Sequence, residues 1–463
     1  MSARRLTGIR KLGWTLVAIG LVMSISASAQ EGDNERLPAE VLSRLRAYQV
    51  LSAEEKLSSS QTRAQVLIRK ALDLSPSVQE AKFALDAAEQ DIQAAKGSRQ
   101  PQVTATGSSQ ANNRDLPAGS QTNWKPYLNL SATLPVYDWG RIAALVGGRE
   151  AARDAAAARY RQQRNQVAGE VVITCLEYTK QRALIAAADD YYETVRKLVD
   201  MLTRITEADT GRAGELVQAR SRQLQAQQAR ENARSKVREQ LVRLRKLLGG
   251  REMPPCEGLE PALLKRLDVE ELIGRIKRTP QIQAFESDYA AQLRQIEQIG
   301  ATRKPQVQLS ATHAPVVAGL TDQYFQAVTM SVTMPIYDGR TLQSNERAAV
   351  ERANALGSRV EQTYRQLESE YRERYEQASA NLRRADEYIN LIAINDRVRK
   401  DFFTQWSSLG RRSLFELLAI EQEQYNLQTG YFTSLFDGLI GNANVMASAD
   451  LIITDQDTPD VAN

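Results

Sequence analysis

Two long stretches of the sequence combine helix-forming residues with an absence of proline. Residues 136–253 and 336–458 contain none of the 14 prolines in the chain, and a proline inside a helix would cost about 3 kcal/mol. Both stretches are rich in Ala, Gln, Glu, Arg and Leu, and each is broken near its middle by a glycine, Gly211 or Gly410. The pattern predicts two antiparallel helix pairs with a tight turn at each glycine: residues 138–209 with 212–248, and residues 338–409 with 412–445.

A pattern of shorter period precedes each helix pair. Along residues 128–134, and again along residues 328–334, apolar residues alternate with Asn, Ser and Thr. A period of two predicts β-strands, each with a weaker partner strand before it. The alternation is typical of an outer-membrane barrel with lipid on one side and water on the other, and it also fits one face of a soluble sandwich. The predicted hairpins are residues 101–135 and 305–335.

The prolines also mark an internal repeat. Three short motifs recur in the same order, at separations of 204, 204 and 200 residues: Ser75–Gln79 with Thr279–Gln283, Arg99–Val103 with Arg303–Val307, and Leu134–Asp138 with Met334–Asp338. Three ordered matches indicate a tandem duplication. The predicted organisation is a first repeat at 64–253 and a second at 254–448, between an N-terminal extension at 30–63 and a C-terminal tail at 449–463.

Residues 1–29 have the features of a secretory signal peptide. A basic start is followed by an apolar run at 12–25 and by the small residues Ala27, Ser28 and Ala29. An N-terminal transmembrane anchor is the alternative, but the run is shorter than the roughly 20 residues that a spanning helix needs. Cleavage would change the balance of 60 basic against 56 acidic residues to 56 against 56. The exported chain would then be neutral, and its charge gives no indication of nucleic-acid binding.

Four predicted strands are too few to close a membrane barrel. Such barrels need at least about eight strands, because an open strand edge cannot face lipid. Beyond the signal peptide, no apolar stretch is long enough for a transmembrane helix. If the strands enter a membrane, several chains must therefore combine. Strand counting allows a dimer, with two sets of four strands, or a trimer, with three sets.

Few residues offer catalytic or metal-binding chemistry. The chain has one histidine, His313, in a predicted loop, and two cysteines, Cys175 and Cys256. A zinc site, another His/Cys metal cluster or a catalytic triad cannot be assembled from them, so we expect neither an enzyme nor a cofactor. Helical rise places Cys175 about 55 Å down the first long helix, and the returning helix brings Cys256 to a similar height. Export would permit a disulfide between the two cysteines, and two separate free cysteines are the alternative.

The motif Pro-Val/Ile-Tyr-Asp ends each predicted hairpin, at 135–138 and 335–338, and a long helix pair follows it. In this combination the sequence resembles the TolC-type outer-membrane channels over about residues 64–448. The resemblance implies an α+β membrane protein and a homotrimer. Each chain would give four strands to one twelve-stranded β-barrel in outer-membrane lipid, and four long helices to an α-helical tunnel continuous with it. The location implied is the Gram-negative outer membrane, with the tunnel in the periplasm.

The resemblance also implies a function and partners. TolC-type channels are exit ducts of tripartite export systems, which take substrate from an inner-membrane transporter and a periplasmic adaptor. Residues 409–418, followed by Glu421, Glu423 and Tyr425, are more similar to the members that serve type I protein secretion, which implies an ABC-type transporter. No cysteine directly follows the predicted cleavage site, so no lipoprotein anchor is expected. Small-molecule efflux is the alternative, and a periplasmic coiled-coil structural protein, a different class, would leave the hairpins unexplained.

Members of this family close the periplasmic end of the tunnel with a polar network and rings of acidic residues. Matching the two helix turns to the family places Glu215 at the acidic network position, Arg412 at the basic position and Glu416 on an axial ring. The chain departs from the family at Ser407, where a network tyrosine often stands, and at Ala419, where a second ring residue often stands. We therefore expect a gate held mainly by Arg412 and Glu215, with three Glu416 carboxylates that attract cations. Ordinary solvated charges near a helix turn are the alternative.

Overall fold

The computed structural model describes most of the chain. It covers residues 57–111, 124–250, 256, 268–314, 325–407 and 413–452. The predicted signal peptide, most of the predicted extension at 30–63 and the candidate gate residue Arg412 lie outside these ranges and remain predictions. Helix α1 begins at Leu57 and crosses the predicted boundary at residue 64.

The described elements follow the order helix, helix, hairpin, helix, helix, and this order occurs twice. The first set is α1 (Leu57–Leu74), α2 (Pro76–Gly97), β1 (Gln102–Ala111), β2 (Trp124–Tyr137), α3 (Arg141–Ala208) and α4 (Ala213–Leu248). The second set is α5 (Val269–Arg275), α6 (Pro280–Thr302), β3 (Gln306–Ala314), β4 (Phe325–Thr333), α7 (Thr341–Ser407) and α8 (Leu414–Ser448).

Helices α3 and α7 are by far the longest of the described elements. They contain 68 and 67 residues, which corresponds to about 100 Å each at the rise of an α-helix. Both begin three residues after the predicted starts at 138 and 338, because those three residues form a corner between sheet and helix. Despite this length, none of the described helices has an apolar stretch suited to crossing a membrane.

A matching corner turns the chain from strand into long helix in each half. The Asp138 carboxylate accepts hydrogen bonds from the backbone N–H groups of Gly140 and Ile142, at 3.1 and 2.7 Å. Asp338 makes the equivalent pair of bonds at 3.0 and 2.7 Å. The corner also needs left-handed backbone, with a φ of 83° at Gly140, which glycine adopts without steric cost. The aspartate of the repeated motif is thus a structural residue that supplies acceptors to the start of the helix.

The four strands form one antiparallel sheet in the order β1-β2-β3-β4. The register places Val103 opposite Ala132, Ala132 opposite Ala311 and Leu309 opposite Met330, so most apolar residues of the four strands share one face. The alternating positions carry mainly Thr, Ser, Asn and Gln and share the other face. The apolar face is exposed in the single chain, with these side chains among those open to solvent: Val103, Leu128, Leu130, Val328, Met330 and Val332.

His313 lies in a strand, and the prediction that places it in a loop is wrong. Strand β3 extends to Ala314 and pairs His313 with Leu130 on one side and with Gln326 on the other. Nδ1 of His313 is 3.2 Å from Nε2 of Gln326. The polar histidine suggested the end of the strand, but the pairing with β2 and β4 continues through it.

Helix α3 lies at the centre of the helical part, where it packs on α2, α4, α6 and α8, and α8 packs in turn on α7. Close contact is marked by glycines. A Cβ atom at Gly169 of α3 would lie 2.7 Å from Cβ of Ala447, and one at Gly438 of α8 would lie 2.7 Å from Cγ of Leu382. The main apolar cluster spans these helices and includes these fully buried side chains: Ala168, Val171, Cys175, Leu176, Phe432, Phe436 and Leu439.

The structure joins Cys175 of α3 and Cys256 by a disulfide, with the two Cα atoms 5.3 Å apart. Both side chains are buried in the main apolar cluster, which also includes Leu248 at the end of α4 and Leu67 of α1. The bond therefore ties the chain that follows α4 to the middle of α3.

Candidate functional site

The turn between α3 and α4 lies at the end of the helical part that is farthest from the sheet. Helix α3 runs from the sheet corner to Ala208, and a short 3-10 turn at Thr210–Arg212 leads into α4. Asp209 Oδ1 accepts a 3.0 Å hydrogen bond from the backbone N–H of Gly211, which favours the reversal of the chain. The end of α7 and the start of α8 lie beside this turn, because all four long helices contribute to one apolar cluster.

That cluster lies near the ends of these helices, and we call it the tip cluster. Helix α3 contributes Leu202, α4 contributes Ala219, α7 contributes Trp406 and α8 contributes Leu417, all of them almost fully buried. The other buried members are Leu198, Val199, Leu414 and Leu418. Because all four long helices take part, the tip cluster fixes their ends relative to one another.

Glu215 lies in the first turn of α4. Its Oε2 atom is 3.7 Å from Nε of Arg212, and this oxygen is buried without a hydrogen-bond donor among the described residues. A carboxylate in the first turn of a helix is stabilised by the helix dipole. Arg412, the partner that the sequence predicts for Glu215, lies outside the described residues, so their contact stays a prediction.

Glu416 is the third residue of α8 and forms a capping box with Ser413. The backbone N–H of Ser413 donates to Glu416 Oε2 at 3.0 Å, and the backbone N–H of Glu416 donates to Ser413 Oγ at 3.3 Å. The sequence contains the signature of this motif, a serine followed three residues later by glutamate. The predicted ring of three Glu416 carboxylates involves several chains and stays a prediction.

A group of charges, buried except for Lys400, lies on α7 and α8 next to the tip cluster, and we call it the charge cluster. It consists of Asp396, Arg399 and Lys400 on α7 and Glu421 on α8. Arg399 Nη2 is 2.8 Å from Asp396 Oδ1, and Arg399 Nη1 is 3.3 Å from Glu421 Oε2. Lys400 Nζ is 3.1 Å from Asp396 Oδ2. The side chains of Asp396, Arg399 and Glu421 are only 9, 15 and 8% exposed, so Arg399 links α7 to α8 inside the protein.

Neutral hydrogen bonds at the same level join three of the helices. Asn395 Nδ2 of α7 donates to Gln424 Oε1 of α8 at 2.8 Å. The Tyr191 hydroxyl of α3 donates to Gln422 Oε1 of α8 at 2.7 Å, and the Tyr191 ring stacks on that of Tyr425 with 4.9 Å between centroids. Together with the charge cluster, these residues form a polar layer next to the tip cluster.

Burial and the neighbouring charges affect the pKa values of Glu421 and Arg399, the two residues that link α8 to α7, in different ways. Burial raises the pKa of Glu421 above its ordinary value, although the charge and hydrogen bond of Arg399 lower it, and the carboxylates of Asp190 and Asp396 raise it further. Burial alone would lower the pKa of Arg399, but Glu421 and Asp396 together raise it. Arg399 is therefore firmly charged, while Glu421 takes up a proton more readily than an exposed glutamate.

The charge cluster is not among the residues that the sequence predicts for the site. Asp396, Arg399 and Lys400 are three or four residues apart, which is also the spacing of ordinary solvated pairs on a helix. A signal was present on α8, where Glu421 follows the apolar Leu417 by four residues and so lies on the apolar face. A carboxylate on such a face needs a buried partner.

The described side chains at the tip can hold helices together and present carboxylates to their surroundings. Among the residues that the structure describes, no group of three or more His, Cys, Asp or Glu side chains could hold a metal ion.

Comparison with known proteins links this architecture to a class. Residues 67–250 match the sequence model of the family described as outer membrane efflux protein. A comparison with curated proteins found no match.

Three solved structures with the same architecture are distant in sequence. CusC, which forms a transmembrane channel, superposes with a TM-score of 0.76 at 14% identity, covering 84% of this chain and 92% of that one. The outer-membrane channel OprN gives 0.73 at 18% identity, with 86% and 92% covered. The outer membrane protein VceC of Vibrio cholerae gives 0.73 at 18% identity, with 84% and 96% covered.

The fold is thus that of the outer-membrane channels, in which a hairpin sheet continues into long paired helices. Within it, residues 67–250 carry the sequence pattern of the outer membrane efflux protein family.

Proposed function

We propose that the chain is a subunit of a homotrimeric outer-membrane channel, the exit duct of a tripartite export system, and not an enzyme. The observation that carries the proposal is a four-stranded hairpin sheet at one end of helices about 100 Å long, in a chain whose residues 67–250 match the efflux family. The shared fold with CusC, OprN and VceC supports it.

The sheet supports assembly from several chains. Strands β1 and β4 lie at its two edges, and the backbone N–H and C=O groups along an edge strand have no partner within the sheet. Lipid cannot satisfy such groups. Pairing of β1 in one chain with β4 in the next would satisfy them, and three chains of four strands would close one twelve-stranded barrel. The apolar face of the sheet would then contact lipid.

The helices support a tunnel that is completed by neighbouring chains. Within one chain α4 packs mainly on α3, and α7 packs mainly on α8 and α6, which leaves one side of each helix open. Apolar side chains are exposed on both, with Leu224 and Val242 on α4 and Leu391 and Ile394 on α7. Contact between α4 of one chain and α7 of the next would bury them and would close a ring of long helices in the periplasm.

The tip would be the gated end of the tunnel. In this proposal a periplasmic adaptor and an inner-membrane transporter dock near the two helix turns, and Glu215, Arg412 and Glu416 belong to the gate. The capping box of Glu416 supports a fixed placement of its carboxylate at the tip, and Glu215 lies in the first turn of α4.

The cargo distinguishes two versions of the proposal. The resemblance of residues 409–418 to secretion members favours type I protein secretion with an ABC-type transporter. The description of the matching family as an efflux family favours small-molecule efflux as the second candidate. A deletion strain tests both, because loss of a secreted protein from the medium supports secretion, whereas increased sensitivity to toxic compounds with normal secretion supports efflux.

Membrane fractionation of the full chain tests the channel itself. We expect the protein in the outer-membrane fraction, as a heat-modifiable trimer. On gels, the unheated sample should run as a trimer and the heated sample as a monomer. A soluble periplasmic monomer would contradict the proposal and favour the coiled-coil alternative.

A further inference from the structure

The charge cluster differs from the other charge pairs of α7 in its burial. Arg365 and Glu361, four residues apart on the same helix, form an ion pair with side chains 76 and 60% exposed. Asp396, Arg399 and Glu421 are at most 15% exposed. Burying charges carries a desolvation cost that their mutual attraction often does not recover, so stability alone does not account for the cluster.

We propose that Arg399 is a positioning residue of the tip and that its contact with Glu421 is a proton-operated lock between α7 and α8. The lock is closed while Glu421 is ionised, and protonation of Glu421 opens it. The proposal rests on the proposed function of the tip as a gate, since it describes how that gate is held.

The position of the contact suits this role. Arg399 lies eight residues before the end of α7 at Ser407, and Glu421 lies seven residues after the start of α8 at Leu414, which places both about 10–12 Å from the turn. Between this contact and the turn, the buried apolar contacts are those of the tip cluster. Loss of the link therefore acts on the segment that carries the turn and leaves the main apolar cluster intact.

Acidification changes the charge of only one partner in the contact between Arg399 and Glu421, namely Glu421. The charged and titratable groups that act on Glu421 are Asp396 and Arg399 from α7 and Asp190 from α3, while Lys400 of α7 reaches Asp396. Burial, Asp190 and Asp396 raise the pKa of Glu421 and Arg399 lowers it, with a net rise. As pH falls, Glu421 becomes neutral before an exposed glutamate would, while Arg399 keeps its charge and its bond to Asp396.

The hydrogen bonds of the surrounding polar layer keep the helices together after Glu421 is protonated. Tyr191 of α3 and Tyr425 of α8 have pKa values raised by burial, and Arg222 of α4 opposes that rise at Tyr191, so both phenols stay neutral through acidic and neutral pH. The bonds from Asn395 to Gln424 and from Tyr191 to Gln422 are between neutral groups and persist when Glu421 is protonated. The helices stay associated at this level, while the end of α7 after Arg399 and the start of α8 before Glu421 are loosened.

Hydrogen–deuterium exchange on the purified full-length protein tests the lock directly. Glu421→Gln mimics the protonated state, so at neutral pH residues 400–407 and 414–420 should exchange faster in this variant than in wild type. At mildly acidic pH the difference should disappear, because the wild type is then protonated. Arg399→Lys keeps the charge and should keep the pH dependence. Glu361→Gln removes an exposed carboxylate of α7 and should exchange like wild type at every pH.

Single-channel recordings in lipid bilayers connect the lock to function. We expect wild-type conductance to rise on acidification, and conductance of Glu421→Gln to be high and independent of pH. Equal exchange of Glu421→Gln and wild type at neutral pH would overturn the lock, whether or not the protein conducts. A wild type that forms no channel would contradict the proposed function instead, and the exchange comparison would still decide whether the lock exists.

Discussion

Glu416 uses its carboxylate to cap its own helix, and the proposed axial ring would use the same carboxylate to attract cations. The two uses are compatible, because a carboxylate that accepts the capping bond from Ser413 at Oε2 keeps its negative charge. The start of a helix also stabilises a negative charge. The cap therefore holds the carboxylate in one place without removing its charge.

This double use gives a prediction with a built-in control. Glu416→Gln keeps an oxygen that can accept the Ser413 N–H bond but removes the charge, whereas Glu416→Ala removes both. In single-channel recordings we expect both variants to lose cation selectivity. Only Glu416→Ala should also lower the free energy of unfolding, by about 0.5–2 kcal/mol for a lost cap, as measured in urea. Unchanged selectivity in both variants would remove Glu416 from the axial ring.

Glycine contacts determine how closely the helices approach. Gly169 of α3 faces Ala447 of α8, and a Cβ atom there would lie 2.7 Å from the alanine Cβ. That atom is attached directly to the α8 backbone, so the clash can be relieved only by moving a helix. Gly300 of α6 is also helical, but a Cβ atom there would meet nothing within 4 Å.

We therefore expect opposite effects of the same substitution at two helical positions. Gly169→Ala should destabilise the protein by about 1–3 kcal/mol through overpacking, whereas Gly300→Ala should be neutral or stabilise it by up to about 1 kcal/mol through helix propensity. Urea unfolding midpoints of the two variants and the wild type measure both. A Gly169→Ala protein as stable as wild type would show that α3 and α8 are less closely packed than described.

Local signals explain which elements could be predicted from the sequence. The ends of α3 and α7 fall within three residues of their predicted positions, because proline, glycine and the Asp138 and Asp338 corners act over a few residues. Strand alternation likewise indicated the hairpins, although β3 extends through His313 and β4 ends at Thr333, before the predicted end at residue 335. The candidate site was harder, because Arg399 and Glu421 are 22 residues apart and meet only through the packing of α7 on α8. No local sequence pattern predicts that packing.

At the scale of the whole molecule, the two sheet edges are the feature that one chain leaves incomplete. Strands β1 and β4 are separated by two strands, so their backbones lie about 14 Å apart within a chain. A disulfide requires Cα atoms within about 7 Å. A cysteine pair with one member on each edge can therefore be joined only between different chains.

Cross-linking of the edges tests the proposed barrel. Thr104→Cys on β1, combined in turn with a cysteine at Ala327, Thr329 or Ser331 on β4, covers several registers on one face of the sheet. We expect at least one combination to give covalent dimers and trimers on oxidation. Thr104→Cys combined with Ser310→Cys on the inner strand β3 is the matched control and should stay monomeric on denaturing gels. Absence of cross-links from all three combinations would contradict pairing of β1 with β4.

The disulfide between Cys175 and Cys256 has a consequence for the order in which the chain matures. Its partners are 81 residues apart, and both precede α5, which begins at Val269. In the proposed export route, a chain threaded N-terminus first would present both thiols to the oxidising compartment before residue 269 had crossed the inner membrane. The first half can thus be covalently closed around its own helix pair while the second half is still in transit. Oxidation at that stage would prevent helices of the two halves, which share the same order of elements, from exchanging places.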